Sequence, residues 1–224
     1  MPSPNPSWTP GGPINSPVNE MVELDPAALT SGDMYKLLIG AIVPRPIAFV
    51  STANRAGQCN LAPFSFFNGI SSNPACLMIS ITRKPDGAKK DTLRNIEEIG
   101  QFVVNSSSSW LVEALTHCAA QYPYGVDEMK KAGLTALPSR KVLPPRVKES
   151  AVQFECELYR SMEIGDGSPG SATVVIGKVI FAHVMKEAYQ QGRIDLDRIS
   201  PAARLGGRGY CLPGQVFELE IPKV

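Results

Sequence analysis

Apolar and polar residues alternate most clearly in the second half of the chain. In AVQFECELY, residues 151–159, the apolar side chains of Val152, Phe154 and Cys156 alternate with polar ones, the period-two pattern of a half-buried strand. A β-branched run, SATVVIGKVIFAHVM, follows a Gly-rich turn and predicts a second strand. Near the end, QVFELEI at 215–221 repeats the alternation and predicts a third.

The first half mixes short strands with short helices. The β-branched segments PIAFVST (46–52), CLMISIT (76–82) and QFVVN predict strands bounded by breaker residues. DTLRNIEEIG has helical spacing of its apolar residues and predicts a helix that runs from a capping residue, Asp91, to Gly100. SWLVEALTHCAA (109–120) predicts another helix, and VDEMKKAG predicts a short helix closed by a glycine.

Strands that follow one another without long intervening helices favour antiparallel pairing in a barrel or a sandwich. The segment GDGSPG at 165–170 matches the G-x-G-x-x-G pattern of dinucleotide-binding proteins, but a β-branched run follows it where that motif requires a helix. We therefore interpret this segment as a hairpin turn, and a parallel nucleotide-binding sheet is disfavoured.

Length and charge narrow the class of protein. The 224 residues fit a single domain over 21–224, preceded by a Pro- and Gly-rich arm over 1–20, and a 43% hydrophobic content supplies a sizeable core. Lys plus Arg number 22 against 21 Asp plus Glu, so no strong field favours nucleic acid or an acidic membrane. We expect neither as a partner.

The five cysteines are widely spaced and form no C-x-x-C motif, which favours reduced thiols in a cytoplasmic protein. With only His117 and His183 available as imidazole ligands, we expect no metal site. The N-terminus lacks the features of a signal peptide, and no apolar run approaches the roughly 20 residues of a membrane helix. We expect a soluble, cytoplasmic protein.

The stretch NLAPFSFFNGISSNP at 60–74 places three phenylalanines among small polar residues and between two prolines. Asn68-Gly69 is a strong turn dipeptide, whereas aromatic residues are unusual in turns. Two interpretations remain open from the residues alone: a plug of the core beneath a loop, or the wall of a pocket for a flat ligand.

The segment RKPDGAKKDTLRNI at 83–96 is a candidate anion site. Lys89, Lys90 and Thr92 stand at the start of the predicted helix, where free backbone N–H groups, an ammonium and a hydroxyl suit a phosphate. Asp91 would repel an anion unless its carboxylate turns inward as a cap. A simple helix start remains the alternative.

Two further segments could contact a ligand. FVST ends a strand in the hydroxyls of Ser51 and Thr52, which either bind a ligand at a barrel rim or only satisfy a turn. RLGGRGY at 204–210 sets three glycines beside Arg208 and Tyr210. Glycines allow a close backbone approach to a ligand, and a mobile surface loop is the alternative.

Taken together, PRPIAFVST, NLAPFSFFNGISSNP, KKDTLRNI followed by FVVN, and the closing ISPAARLGGRGY resemble, in order and spacing, the flavin reductase-like family of FMN-binding split β-barrels, which includes the flavoredoxins. The resemblance runs from about Leu37 to Tyr210. It implies a mainly β fold with flanking helices, built on a six-stranded antiparallel split barrel, and a homodimer with FMN near the subunit interface.

The resemblance also implies individual flavin contacts. They are Arg45 and Pro46 at the border of the flavin, Ser51 and Thr52 near its phosphate or ribityl chain, Asn60, Ala62, Pro63, Phe64 and Ser65 along the ring, Lys90 and Thr92 on the phosphate, and Tyr210 closing the site. Phe66 and Phe67 are then expected to plug the barrel or the dimer seam.

The function that the resemblance implies is an FMN-dependent oxidoreductase of the flavin reductase type. It would pass hydride from NADH or NADPH to the flavin and electrons onward to free flavin, ferric iron or a protein partner. The cofactor carries this chemistry, so no dedicated catalytic acid–base pair is expected. An FMN-binding electron carrier without a nicotinamide site, or a flavin-storage or sensing module, are the alternatives.

Overall fold

The computed structural model describes residues 2–222. Its strands are β1 (Arg45–Pro46), β2 (Ala48–Ala53), β3 (Cys59–Phe64), β4 (Phe67–Ser72), β5 (Ala75–Thr82), β6 (Gln101–Ser106), β7 (Ala136–Leu137), β8 (Arg146–Val147), β9 (Val152–Ile164), β10 (Ala172–Val184), β11 (Tyr189–Gln190), β12 (Arg193–Ile194), β13 (Ala203–Arg204) and β14 (Tyr210–Cys211). Its α-helices are α1 (Ser31–Ala41), α2 (Asp91–Ile99), α3 (Val112–His117), α4 (Glu128–Lys131) and α5 (Leu196–Ile199). Three 3₁₀ turns lie at Pro26–Ala28, Ser109–Leu111 and Lys186–Ala188.

One antiparallel sheet dominates the fold, with strand order β3-β2-β6-β9-β10-β5-β4. Its two edge strands, β3 and β4, are consecutive in sequence and separated only by Ser65 and Phe66. From Phe64 to Phe67 the chain advances three residues and spans at most about 11 Å, so the opposite edges of the sheet must come together at this bend. The sheet therefore curls into a barrel whose seam stays open, because β3 and β4 do not pair.

The interior of the barrel holds the main core, which includes Val50, Ile79, Phe102 and Val175. A second cluster lies outside β2 and β3, where Phe49 and the neighbouring apolar side chains pack against α3 and α4. Since both faces of β2 are covered, every one of its residues is buried. The same strand can therefore present alternate side chains to the core and to the helices.

The structure confirms most of the predicted elements and the antiparallel, mainly β fold. β9 and β10 form the hairpin expected from the alternating pattern, and GDGSPG is its turn. Helix α2 ends where expected, with Gly100 in the left-handed conformation at φ 69°. The sheet has seven strands where six were expected.

Several local predictions were wrong. QVFELEI forms no strand, because alternation produces a strand only where a neighbouring edge is available to pair, and these residues meet none in the described chain. Asn68-Gly69 lies inside β4 and not in a turn, since the chain bends before it, at Ser65 and Phe66. The N-cap of α2 is Lys90, not Asp91. Only Val112–His117 of the 109–120 segment is α-helical, after a 3₁₀ turn.

The two terminal segments lie outside the barrel. Residues 2–20 contain no helix or strand, and the side-chain amide of Gln215 lies 3.4 Å from the carbonyl of Pro2. Apolar side chains on both segments, among them Ile14 and Ile221, are exposed. No helix among residues 2–222 combines the length and apolar character that a membrane crossing requires.

Candidate functional site

A cleft of about 250 Å³ opens between the edge strand β3, the start of α2 and the chain that follows α3. Polar and apolar groups share its lining, which is made of Asn60, Ala62, Pro63, Phe64, Arg83, Lys84, Pro85, Lys90, Asp91, Thr92, Cys118, Ala119, Ala120, Gln121, Tyr122 and Glu128. The cleft therefore joins the wall predicted from NLAPF to the anion site predicted from KKDT. These two motifs lie about 30 residues apart in sequence.

Three cations line the cleft, namely Arg83, Lys84 and Lys90. Of these, Lys90 alone has no carboxylate partner among residues 2–222. Its ammonium lies 5.6 Å from the ring centre of Phe64. Burial, and then the neighbouring charge of Lys84, lower the pKa of Lys90 below its ordinary value. A half-buried ammonium with no counter-charge is costly to the fold, and an anion in the cleft would relieve that cost.

The neighbouring cations are already paired. Lys84 binds Asp91 at 2.9 Å, which turns that carboxylate toward a lysine. Lys89 binds both carboxylate oxygens of Glu97 at 2.7 and 2.8 Å. Of the two adjacent lysines that the sequence offered, Lys90 lines the cleft and Lys89 does not.

Arg83 adds a second unsatisfied donor. Its guanidinium donates to Glu163 at 2.7 Å, while its buried Nε has no hydrogen-bond partner in the described part of the chain. The arginine side chain is only 8% exposed and lines the cleft. A buried N–H without a partner is uncommon in proteins, and this one belongs to a residue that lines the cleft.

The first turn of α2 faces the same space. Its N-cap, Lys90, makes no side-chain hydrogen bond to the helix, so no side chain caps the N–H groups of the first turn. Such groups and the helix dipole together favour negative charge. The nine residues of α2 provide two and a half turns behind that terminus.

A buried polar network forms the floor. The Thr92 hydroxyl donates to Oδ1 of Asn60 at 2.8 Å, and Nδ2 of Asn60 donates to Oε1 of Glu128 at 3.0 Å. The other carboxylate oxygen accepts the backbone N–H of Leu61 at 2.9 Å. Burial raises the pKa of Glu128, while these two donors act in the opposite direction. The Thr92 hydroxyl therefore donates its hydrogen bond to Asn60 and is not available as a donor to a bound anion.

Cys118 and Tyr122 belong to the wall opposite β3. Burial, followed by the charge of Glu128, raises the pKa of the Cys118 thiol to about 12. The thiol is thus held protonated at neutral pH and is a poor nucleophile. The Tyr122 hydroxyl lies 2.8 Å from Nε2 of His117.

Half of the predicted flavin contacts line this cleft, and half lie elsewhere. Arg45 is buried and donates to the carbonyls of Ile39, Ile42 and Leu205 and to the hydroxyl of Ser65. It joins the end of α1 to the Gly-rich segment after β13. Neither Arg45 nor Ser65 lines the cleft.

The other predicted flavin contacts outside the cleft lie beside other protein groups. Ser51 donates to the carbonyl of Pro145, and Thr52 donates to Oδ1 of Asn60 at 3.3 Å, behind the floor. Pro46 is exposed on β1, beside Ala203. The hydroxyl of Tyr210 accepts from Thr116 at 2.9 Å, and its ring stacks on Arg204.

Sequence reasoning missed Glu128 and Tyr122 as cleft residues. VDEMKKAG predicted only a helix, and nothing in it distinguishes a buried glutamate from an exposed one. Arg83 stands at the start of the segment proposed for the anion, so its proximity could have been anticipated from the turn at Pro85.

The chain is similar to proteins of a known family. Residues 40–198 match the flavin reductase like domain. An uncharacterised protein of Halalkalibacterium halodurans is 41% identical over 204 residues, which cover 91% of this chain and 98% of that protein.

Solved structures agree with that match. The nitrilotriacetate monooxygenase component B of Bacillus cereus superimposes with a TM-score of 0.86 at 39% identity, covering 90% of this chain and 100% of the other. The 2-nitrobenzoate 2-nitroreductase of Pseudomonas fluorescens gives a TM-score of 0.81 at 30% identity, covering 90% and 96%.

Proposed function

Since this chain belongs to the flavin reductase-like family of split-barrel flavoproteins, we propose that its cleft binds FMN and that the protein is an NADH- or NADPH-dependent oxidoreductase. The observation that carries the proposal is the ammonium of Lys90, half-buried at the start of α2 and without a carboxylate partner among residues 2–222. A phosphate would supply the missing charge there. We place the phosphate of FMN at this point.

The residues of the cleft fit the rest of an FMN molecule. Arg83 also lines the cleft, and its guanidinium supplies a second cation there, suited to the neighbourhood of a phosphate. Ala62, Pro63 and the ring of Phe64 offer a flat, mostly apolar wall for the isoalloxazine. When bound, the flavin supplies the hydride and electron chemistry, and the protein orients it and shields it from water.

The expected co-substrate is NADH or NADPH, and the electrons go on to free flavin, ferric iron or a protein partner. No protein acid–base pair is required for such a transfer. The Cys118 thiol, with its raised pKa of about 12, is not proposed as a reacting group. The five free cysteines support the proposal of a reducing, cytoplasmic location.

We further propose a homodimer with the flavin near the subunit interface. The cleft volume of about 250 Å³ falls below the range of about 300–1,000 Å³ for small-molecule sites, which supports completion by a second subunit. Helix α1 exposes Tyr35 and Leu38, the residue after it, Ile42, is exposed as well, and β4 exposes Ile70. Exposed apolar groups of this kind usually mark an interface. A stable monomer at micromolar concentration that retains FMN would contradict the dimer.

The alternative is an FMN-binding electron carrier of the flavoredoxin type, and a storage or sensing module is a weaker one. All three would hold the cofactor, so binding alone does not separate them. The deciding experiment adds NADH and NADPH under anaerobic conditions to the purified, flavin-loaded protein. Rapid bleaching of the flavin absorbance supports the reductase, and no bleaching with either nucleotide supports a carrier or a storage protein.

A further inference from the structure

The hydrogen bonds of the cleft floor all run in one direction, toward Glu128. Tyr124 donates to Oδ1 of Asn95 at 3.3 Å, Nδ2 of Asn95 donates to the Thr52 hydroxyl at 3.0 Å, and that hydroxyl donates to Oδ1 of Asn60. Nδ2 of Asn60 then donates to Glu128. An ionised carboxylate accepts and never donates, so it sets the direction of every bond before it.

The orientation of the Asn60 amide follows from this arrangement. The backbone N–H of Leu61 donates to one carboxylate oxygen of Glu128, and the other oxygen accepts from Nδ2 of Asn60, its one side-chain donor among residues 2–222. Oδ1 of Asn60 then accepts from two hydroxyls, those of Thr52 and Thr92. Asn60 is 8% exposed and lines the cleft.

One hydrogen-bonding group of the Asn60 amide has no partner among residues 2–222. A primary amide has two N–H donors and two acceptor positions on oxygen. Both acceptor positions are used, and one donor goes to Glu128. The remaining group is an N–H at the floor of the cleft, with no partner among residues 2–222.

We infer that Glu128 is a positioning residue that holds the Asn60 amide with an N–H toward the cleft, where it donates to a hydrogen-bond acceptor of the bound flavin. The inference rests on the proposed flavin binding at this cleft. It deepens that proposal by assigning a role to Glu128, which acts on the ligand through the Asn60 amide.

Glu128→Gln tests the inference because it changes charge and hydrogen-bond capacity but not shape. The glutamine has one acceptor oxygen and one NH₂ group facing two donors, the Leu61 N–H and Nδ2 of Asn60. The backbone donor cannot turn, so the Asn60 amide must turn instead and place Oδ1 toward the glutamine. Both N–H groups of the turned Asn60 amide then face the hydroxyls of Thr52 and Thr92. The hydrogen-bonding position that remains toward the cleft is an acceptor position on Oδ1 of Asn60.

The experiment is a double-mutant cycle on FMN affinity, measured by fluorescence quenching in the wild type, Glu128→Gln, Asn60→Ala and the double variant. Removing the donor in Asn60→Ala should weaken FMN binding by about three- to tenfold, the worth of one neutral hydrogen bond. Glu128→Gln should weaken it by about tenfold or more, because acceptor then faces acceptor. With no amide left to turn, adding Glu128→Gln to Asn60→Ala should change the affinity by less than about twofold.

Glu128→Asp keeps an acceptor-only carboxylate and should retain more affinity than Glu128→Gln. The melting temperature of each flavin-free variant separates positioning from general support of the fold. The inference is overturned if the two single effects add, or if FMN affinity simply follows the melting temperature. Failure of the wild-type protein to bind FMN would instead overturn the proposed function itself.

Discussion

The Nζ of Lys90 lies 5.6 Å from the ring centre of Phe64, so the charge proposed for the phosphate sits directly beside the wall proposed for the flavin ring. Such a cation–π contact stabilises an ammonium by only about 0.5–2 kcal/mol, less than full hydration would. The lowered pKa of Lys90, caused by burial, agrees with that imbalance. An anion bound beside Lys90 would therefore stabilise its ammonium more than the Phe64 ring does.

Replacing Lys90 by alanine should weaken FMN binding about ten- to a hundredfold, because a charge-assisted hydrogen bond is worth about 1.5–3 kcal/mol. At saturating FMN the anaerobic reduction rate should return to near wild type, since the phosphate lies far from the reacting end of the flavin. Fluorescence titration followed by stopped-flow reduction measures both quantities.

Lys89→Ala is the matched control for this variant. Lys89 is paired with Glu97 and does not line the cleft, so its removal should leave FMN affinity within about twofold of wild type. Equal losses in the two variants would point to a diffuse electrostatic effect, and normal affinity with a collapsed reduction rate in Lys90→Ala would contradict the assigned role.

The affinity for FMN should depend on pH in the alkaline range. Burial and Lys84 lower the pKa of Lys90, so the ammonium loses its proton at a lower pH than an ordinary lysine. FMN affinity should be greatest below that lowered pKa and should fall as the pH rises through it. In Lys90→Arg the side chain stays charged, so the fall should disappear, and titration of the flavin itself is common to both proteins. An identical fall in both would exclude Lys90 as its source.

Thr92 should prove more important for stability than for binding. Thr92 is 1% exposed and its hydroxyl donates to Asn60, so Thr92→Val should lower the free energy of unfolding by about 1–3 kcal/mol. FMN affinity should change by less than in Lys90→Ala, because Thr52 and Glu128 still hold the Asn60 amide. Urea unfolding measures the first effect, and Thr135→Val, at an exposed site, should stay within about 0.5 kcal/mol of wild type. A larger loss of FMN affinity than in Lys90→Ala would contradict this division of roles.

Gly177 of β10 tests the packing of the barrel. A Cβ added there would collide with the ring of Phe102 and come within 3.2 Å of the Cβ of Cys156. Gly177→Ala should therefore destabilise the protein by about 1–3 kcal/mol through overpacking. Gly69→Ala is the control within the same sheet, because nothing lies within 4 Å of its added Cβ. Equal urea midpoints for the two variants would contradict the described packing of the core.

The sequence allowed β2, β5, β6, β9, β10 and the helix α2 to be predicted, because each depends on local periodicity and turn chemistry. The β9–β10 hairpin is the clearest case, with its alternating pattern and glycine-rich turn. Lys90 and the NLAPF wall were also predicted as neighbours, through a resemblance in the order of motifs.

What could not be predicted depends on partners distant in sequence. The contact of Arg45 with the flavin stays a prediction, but its bonds to three carbonyls, one of them at Leu205, 160 residues away, could not be predicted from the sequence. Glu128 gave no signal at all, since its burial arises from the packing of α4 against β3. QVFELEI alternates like a strand, but a pattern does not reveal whether an edge is free to pair with it.

The most direct test of the central claim, that Lys90 and the start of α2 hold the phosphate of FMN, compares the affinities of FMN and riboflavin for the wild type and for Lys90→Ala. The two ligands share the ring and the ribityl chain and differ only in the phosphate. We predict that the wild type prefers FMN by about tenfold or more and that Lys90→Ala loses most of this preference, with riboflavin affinity unchanged. Equal wild-type affinities for the two ligands, or an undiminished preference in Lys90→Ala, would contradict the claim.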